Sequence, residues 1–165
     1  MATSLTAFFR ETYEREHATT AKVLHSMPVE QAQFKPHERS NSAQDLAWTF
    51  VVEERMMLLA LRGEKVLGSN SGANPPATWE AIIEGFHALH HQIMNVLDDL
   101  GDRELDGTVD FFTGPKQMGQ FSTIAFLWFL LHDQIHHRGQ LSIYLRMVGA
   151  KVPSIYGPSG DEPWN

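Results

Sequence analysis

The stretch from His132 to Gln140 constrains the fold of this chain more than any other. It places three histidines, an aspartate and an arginine between two apolar segments, 126–131 and 141–145. The flanking segments favour a helix that is buried on at least one face, and polar groups buried there are costly unless something satisfies them. The sequence therefore predicts a polar site on a largely buried helix.

The spacing inside this stretch offers two pairs of metal ligands. His132 and His136 are four residues apart, as are Asp133 and His137, and residues at that spacing share one face of a helix. Neutral imidazole is the commonest metal ligand in proteins, and carboxylates complete many such sites. The two pairs are rotated by about 100° from each other and cannot face one point. Spacing alone leaves both pairs open.

Apolar residues at helical spacing predict four helices, covering residues 4–27, 42–63, 79–100 and 121–148. Ser42 followed by Asp45 is typical of a capping box at the second helix, and Thr78 can cap the third. Residues 68–76 predict an exposed linker, and residues 101–120 a long connection with at most a short extended piece. The Pro-rich tail, 152–158, cannot be helical but can pack across a helix. We therefore expect an all-α four-helix bundle in a single domain, 1–165, a fold that builds metal sites from facing helices.

Composition excludes several classes of function. A net charge of −7 with 13 Lys and Arg and no basic run disfavours nucleic-acid binding. The absence of cysteine excludes disulfides and thiolate catalysis by the chain itself. No apolar run reaches the roughly 18 residues of a membrane span, and no signal pattern opens the chain. We therefore expect a cytoplasmic protein without a membrane partner.

Three stretches resemble the DinB/YfiT-like superfamily of four-helix-bundle proteins: 137–146, with its His-Arg-Gly-Gln element, 42–53, and the tail 151–158. Together with the helix pattern, the match covers essentially the whole chain. The resemblance implies a divalent metal, often nickel or zinc, held by three histidines, one from the second helix and two from the last. Aligned on Arg138, those positions fall on Thr49, Asp133 and His137, of which only His137 is a histidine.

The resemblance thus favours Asp133 with His137 over the other pair, and it implies a degenerate metal site. Thr49 is a poor ligand and is expected to contact a water. Glu53, one turn further along the second helix, is expected to reach the site, with Glu54 as the weaker alternative.

Three residues that follow His137 are expected to support the site or the packing around it. Arg138 is expected either to bind an anionic ligand or to pair with a carboxylate such as Glu53 or Asp133, since a buried arginine is usually paired. Gln140 is expected to bridge helices or to orient a metal ligand. Gly139 is expected to allow another segment to approach closely, because a glycine inside a helix otherwise costs roughly 1 kcal/mol.

Two further features have ordinary structural interpretations. His87 and His91 are four residues apart, but they share their predicted helix with several acidic residues and His90, which favours a solvated face over a metal site. The apolar run 126–131 is expected to belong to the core and, in part, to face a partner subunit.

Two functions remain as hypotheses. The resemblance implies a metal-dependent, transferase- or hydrolase-like enzyme, either a thiol-dependent S-transferase or an isomerase, whose metal lowers the pKa of a low-molecular-weight thiol that attacks a small-molecule substrate. No catalytic residue is assigned. The alternative is a non-catalytic homodimeric bundle, a binding or stress-response protein that has lost the metal triad, and the substitution at Thr49 favours it.

Overall fold

A computed structural model describes residues 4–68, 74–101, 103 and 105–164. The chain is mostly helical, as the sequence predicts, with four long helices and one two-stranded sheet. In chain order the elements are α1 (Leu5–His25), α2 (Ala43–Leu61), α3 (Trp79–Leu100), β1 (Thr108–Gly114), β2 (Gln117–Ser122) and α4 (Thr123–Met147). A single 3₁₀ turn, Val29–Gln31, follows α1. None of the helices in these ranges is both long and apolar enough to cross a bilayer.

Hydroxyl side chains fix where the helices begin. The residues before the four helices, at positions 4, 42, 78 and 122, each accept a hydrogen bond from the backbone N–H three residues further on. At α2 the bond is reciprocal, since the Asp45 carboxylate accepts from the backbone N–H of Ser42 at 3.3 Å. The predicted capping box at Ser42 is therefore confirmed, and it fixes which residues of α2 face the other helices.

The connection between α3 and α4 holds more regular structure than the sequence indicates. Strands β1 and β2 form an antiparallel hairpin, from Thr108 opposite Ser122 to Phe112 opposite Met118. The tight turn between them includes Lys116 at a φ of 60°. The face that carries Val109 and Phe111 packs inward, and Phe111 contacts Phe126 of α4. Phe112 and Met118 are exposed on the opposite face, so the alternation of polar and apolar residues is weak and the sequence predicts only a short extended piece.

Buried polar residues separate two hydrophobic clusters. Each of α1 and α2 packs against both α3 and α4. One cluster surrounds Phe50, Phe86 and Leu141, and the other surrounds Phe9 and Phe126. Between them lies a set of buried polar side chains from all four helices: Glu16, His17, Thr20, Glu53, Glu54, His90, Gln134 and Arg138. We refer to these residues as the polar layer.

The C-terminal segment lies across α1. Val152 and Ile155 pack against the first hydrophobic cluster, and the Tyr156 hydroxyl donates to Glu16 Oε2 at 2.7 Å. Residues 69–73 of the predicted linker lie outside the described residues.

Candidate metal centre

Three side chains at the edge of the polar layer converge on one point. Glu53, Asp133 and His137 each offer a ligand atom, and these atoms lie within 4.8 Å of one another. His137 Nε2 lies 3.6 Å from Glu53 Oε1 and 3.6 Å from Asp133 Oδ1. Asp133 and His137 meet because they occupy successive turns on one face of α4, and the packing of α2 on α4 brings Glu53 opposite them.

Gln140 orients the imidazole of His137. Its Oε1 lies 3.1 Å from His137 Nδ1, and its Nε2 lies 3.0 Å from His136 Nε2. If Nδ1–H of His137 donates to this amide oxygen, the Nε2 lone pair is left free to bind an ion on the side of the two carboxylates. A hydrogen bond from the second ring nitrogen is the usual support of a metal-ligating histidine.

The carboxyl group of Glu53 is buried without enough hydrogen bonds to offset its loss of hydration. Burial raises the pKa of its carboxyl well above the usual value, and the nearby Asp133 carboxylate raises it further. Its Oε2 has no hydrogen-bond partner among the described residues. Two carboxyl groups and an imidazole nitrogen therefore converge on one point. A divalent cation would satisfy all three, and oxygen and nitrogen donors of this kind suit such an ion.

Thr49 and the second histidine pair have other contacts. Thr49 lies one turn before Glu53 on α2, and its hydroxyl donates to the Asp45 carbonyl at 3.2 Å. His132 and His136 are exposed on α4, and the His132 ring packs against Trp128 with centroids 5.7 Å apart. Neither histidine of this pair belongs to the three-residue group.

Glu54 binds to other helices instead. It is fully buried and accepts hydrogen bonds from the Tyr13 hydroxyl and, at 3.2 Å, from Gln134 Nε2. Burial raises the pKa of this carboxyl to about 8 despite both hydrogen bonds. Glu54 therefore joins α2 to α1 and α4 within the polar layer.

Arg138 pairs with a carboxylate, but neither of the two expected ones. The side chain is 1 % exposed, and its Nη2 lies 2.7 Å from Glu16 Oε2. Nη2 also donates to the Tyr156 hydroxyl, and Nη1 donates to Thr20 Oγ1 at 3.2 Å. The expectation of a bond to Glu53 or Asp133 is wrong because one residue beyond His137 the helix has turned by about 100°. Arg138 thus faces α1 and the C-terminal segment.

The expectation for Gly139 is also wrong. This residue is exposed on α4, and a Cβ placed on it would meet nothing within 4 Å. No packing contact among the described residues therefore requires glycine at this position.

A stack of histidines lies between α1 and α3. The His17 ring lies between Phe86 and His90, with centroid distances of 4.3 and 3.5 Å. His17 Nε2 is 3.0 Å from His87 Nδ1. Burial, together with the neighbouring histidines, lowers the pKa of His17 to about 2. His17 is therefore a neutral core residue at physiological pH.

The prediction of a solvated face is consequently wrong for part of α3. His90 is 5 % exposed, its Nε2 lies 3.1 Å from Glu14 Oε2, and only His91 is exposed. The signal that indicates this arrangement is on α1. Tyr13, His17 and Thr20 recur at helical spacing on the same face as the apolar residues of that helix, so polar groups must enter the core there.

Comparison with known proteins gives the family. The profile of the DinB superfamily matches residues 12–141, which include all three members of the candidate metal centre. The chain belongs to the DinB superfamily. This confirms the resemblance found in the sequence.

Individual relatives agree along nearly the whole chain. The uncharacterized protein YrdA of Bacillus subtilis is 24 % identical over 156 residues, which cover 93 % of this chain and 89 % of that protein. The crystal structure of a DinB-like protein from Bacillus cereus has a TM-score of 0.73 at 22 % identity and covers 90 % of this chain and 95 % of its own. The crystal structure of YjoA, a DinB-like protein from Bacillus subtilis, has a TM-score of 0.68 at 18 % identity and covers 88 % of this chain and 94 % of its own. These structures share the fold of this DinB-superfamily protein.

Proposed function

We propose that this protein is a metal-dependent enzyme in which Glu53, Asp133 and His137 hold a divalent ion, nickel or zinc. The observation that carries the proposal is the convergence of these three groups, with Glu53 Oε2 buried and unpaired. In this proposal Glu53 supplies from α2 the third ligand that the family alignment would place at Thr49. The site is then altered in its ligands rather than lost.

The chemistry we propose is activation of a low-molecular-weight thiol for S-transfer or isomerisation. A bound divalent ion would lower the pKa of a coordinated thiol so that the thiolate is present near neutral pH. The chain contains no cysteine, so the thiol must come from a cofactor. Two residues would hold the His137 ring in place. Gln140 contacts its Nδ1, and Phe50 packs edge-on against the ring, with centroids 6.4 Å apart.

Metal content tests this proposal. Protein purified without an affinity tag is expected to hold one nickel or zinc ion per chain, measured by plasma mass spectrometry after loading and dialysis. His137→Ala and Glu53→Gln should each lower the affinity for the ion by 10-fold or more, roughly the loss seen when a metal site is disturbed.

The matched control is His132→Ala, which removes an exposed histidine from the same helix. It should keep the full metal content. Equal metal content in wild type and His137→Ala, or none in either, would refute the metal centre. A metal-loaded protein that binds no thiol would refute the enzyme proposal alone.

A second candidate rests on the surface. Large apolar side chains are exposed on α1, on the hairpin and at the start of α4, including Phe8, Phe112, Met118 and Phe129. We propose as the alternative a homodimer that buries this surface and acts as a binding protein in a stress response. Light scattering that gives a dimer, together with an absence of bound metal, would favour it. A monomer at micromolar concentration would exclude it.

A further inference from the structure

A cavity lies beside the C-terminal half of α4 and begins at Gln140, the residue that contacts His137. It has a volume of about 420 Å³ and is lined by Arg39, Ser40, Asn41, Leu46, Gln140 and Tyr144, among others. Its volume lies within the range of small-molecule sites. One wall is the loop before α2, and the opposite wall is α4.

The helix register connects this cavity to the metal centre. Glu53 faces His137, whereas Asn41, just before α2, accepts a hydrogen bond from the Tyr144 hydroxyl at 3.1 Å. The two helices therefore run antiparallel, and both lead from the metal centre to the cavity. Leu46 and Tyr144 lie seven residues from Glu53 and His137 respectively, which is about 10 Å along each helix. Gln140 belongs to both sites, since it lines the cavity and holds His137.

The charged residue that lines the cavity is cationic, although the chain has a net charge of −7. It is Arg39, on a loop that also carries Lys35 and Glu38. Other arginines are paired, as in Arg10 with Asp98 and Arg146 with Asp161. The guanidinium of Arg39 has no ion pair with any carboxylate in the described part of the chain. Its backbone N–H donates to His37 Nδ1 at 3.1 Å.

An unpaired guanidinium at the rim of a cavity suits a carboxylate, which it can bind through two parallel hydrogen bonds. We infer that this cavity binds the carboxylate end of the small molecule whose other end reaches Glu53, Asp133 and His137. The inference rests on the proposed function and specifies its substrate class. The thiol is an extended one that carries a carboxylate, rather than a short neutral or cationic one.

Binding measurements with two thiols test this class. The nickel-loaded protein is titrated by calorimetry with glutathione, which carries carboxylates, and with cysteamine, which carries none. Arg39→Gln is expected to weaken glutathione binding by roughly 10-fold or more, the value of a charged hydrogen bond, and to change cysteamine binding by less than about 2-fold. Arg39→Lys should retain part of the preference for glutathione over cysteamine. Arg62→Gln, an exposed arginine at the end of α2, is the control and should bind both thiols as the wild type does.

A second measurement does not depend on the metal. Phenylglyoxal modifies exposed arginines, and peptide mass spectrometry reports each arginine separately. In metal-free protein, glutathione is expected to protect Arg39 while Arg62 reacts at its usual rate, and cysteamine should protect neither. Protection of Arg39 without any thiol–metal binding would refute the proposed function and support the carboxylate site. Absence of protection, or an Arg39→Gln variant that binds glutathione like the wild type, would overturn the inference, whether or not the protein binds a metal ion.

Discussion

Acidification is expected to destabilise the fold through His17. The unfolded histidine takes up a proton near pH 6.5, whereas burial and neighbouring histidines lower the pKa of His17 in the folded protein to about 2. Below pH 6.5 the unfolded state therefore binds the proton and the folded state does not. The contribution of His17 to stability is complete above the unfolded pKa and is lost as the pH falls through it.

The size of this effect follows from the two pKa values. Between about pH 7.5 and about pH 5 only the unfolded state titrates at this residue, so the free energy of unfolding falls by about 2 kcal/mol. Glu54 acts in the opposite sense. The pKa of this buried carboxyl is raised to about 8, so its contribution to the free energy of unfolding increases as the pH falls. The stability of the wild type alone therefore does not isolate His17, and a difference between variants is required.

The measurement compares the wild type with His17→Gln by urea unfolding at both pH values. The variant removes the titrating group, while the packing cost of the change is the same at either pH. We expect the stability of the variant relative to the wild type to rise by about 2 kcal/mol on acidification. For His132→Gln, an exposed control on α4, the relative stability should change by less than about 0.5 kcal/mol. If the difference in unfolding free energy between His17→Gln and the wild type is the same at both pH values, the claim that this imidazole is buried in its neutral form is refuted.

Three further substitutions test the packing of the helices by thermal or urea unfolding. Arg138→Ala should lower the free energy of unfolding by about 3–5 kcal/mol because it removes the buried guanidinium that pairs with the Glu16 carboxylate; a loss below about 1 kcal/mol would contradict that pairing. Ser42→Ala should cost about 1 kcal/mol by removing the cap of α2, and an unchanged stability would argue against the capping box. Gly139→Ala should stabilise the protein by about 1 kcal/mol, since the added methyl group meets open space; destabilisation would indicate a contact at this position.

Local signals in the sequence predict much of the fold. The Ser42 capping box and the apolar spacing give the helices with small errors at their ends, because both depend on residues within one or two turns. The hairpin at β1 and β2 is less predictable, since its exposed face also carries the apolar residues Phe112 and Met118, which obscure the alternation typical of a strand. The family resemblance likewise comes from local motifs, above all the His-Arg-Gly-Gln element that begins at His137.

The sequence by itself determined the four helices and showed that Asp133 and His137 share one face of the last, because the face that two residues share on a helix depends only on their spacing. The family resemblance favoured this pair over His132 and His136. Only the tertiary structure decided which distant residue meets each of these groups. Glu53 rather than Thr49 lies at the candidate metal centre, Glu16 rather than Glu53 pairs with Arg138, and His17 stacks on His90. These partners come from different helices, and their contacts depend on the relative rotation and register of packed helices, which spacing within one helix cannot specify.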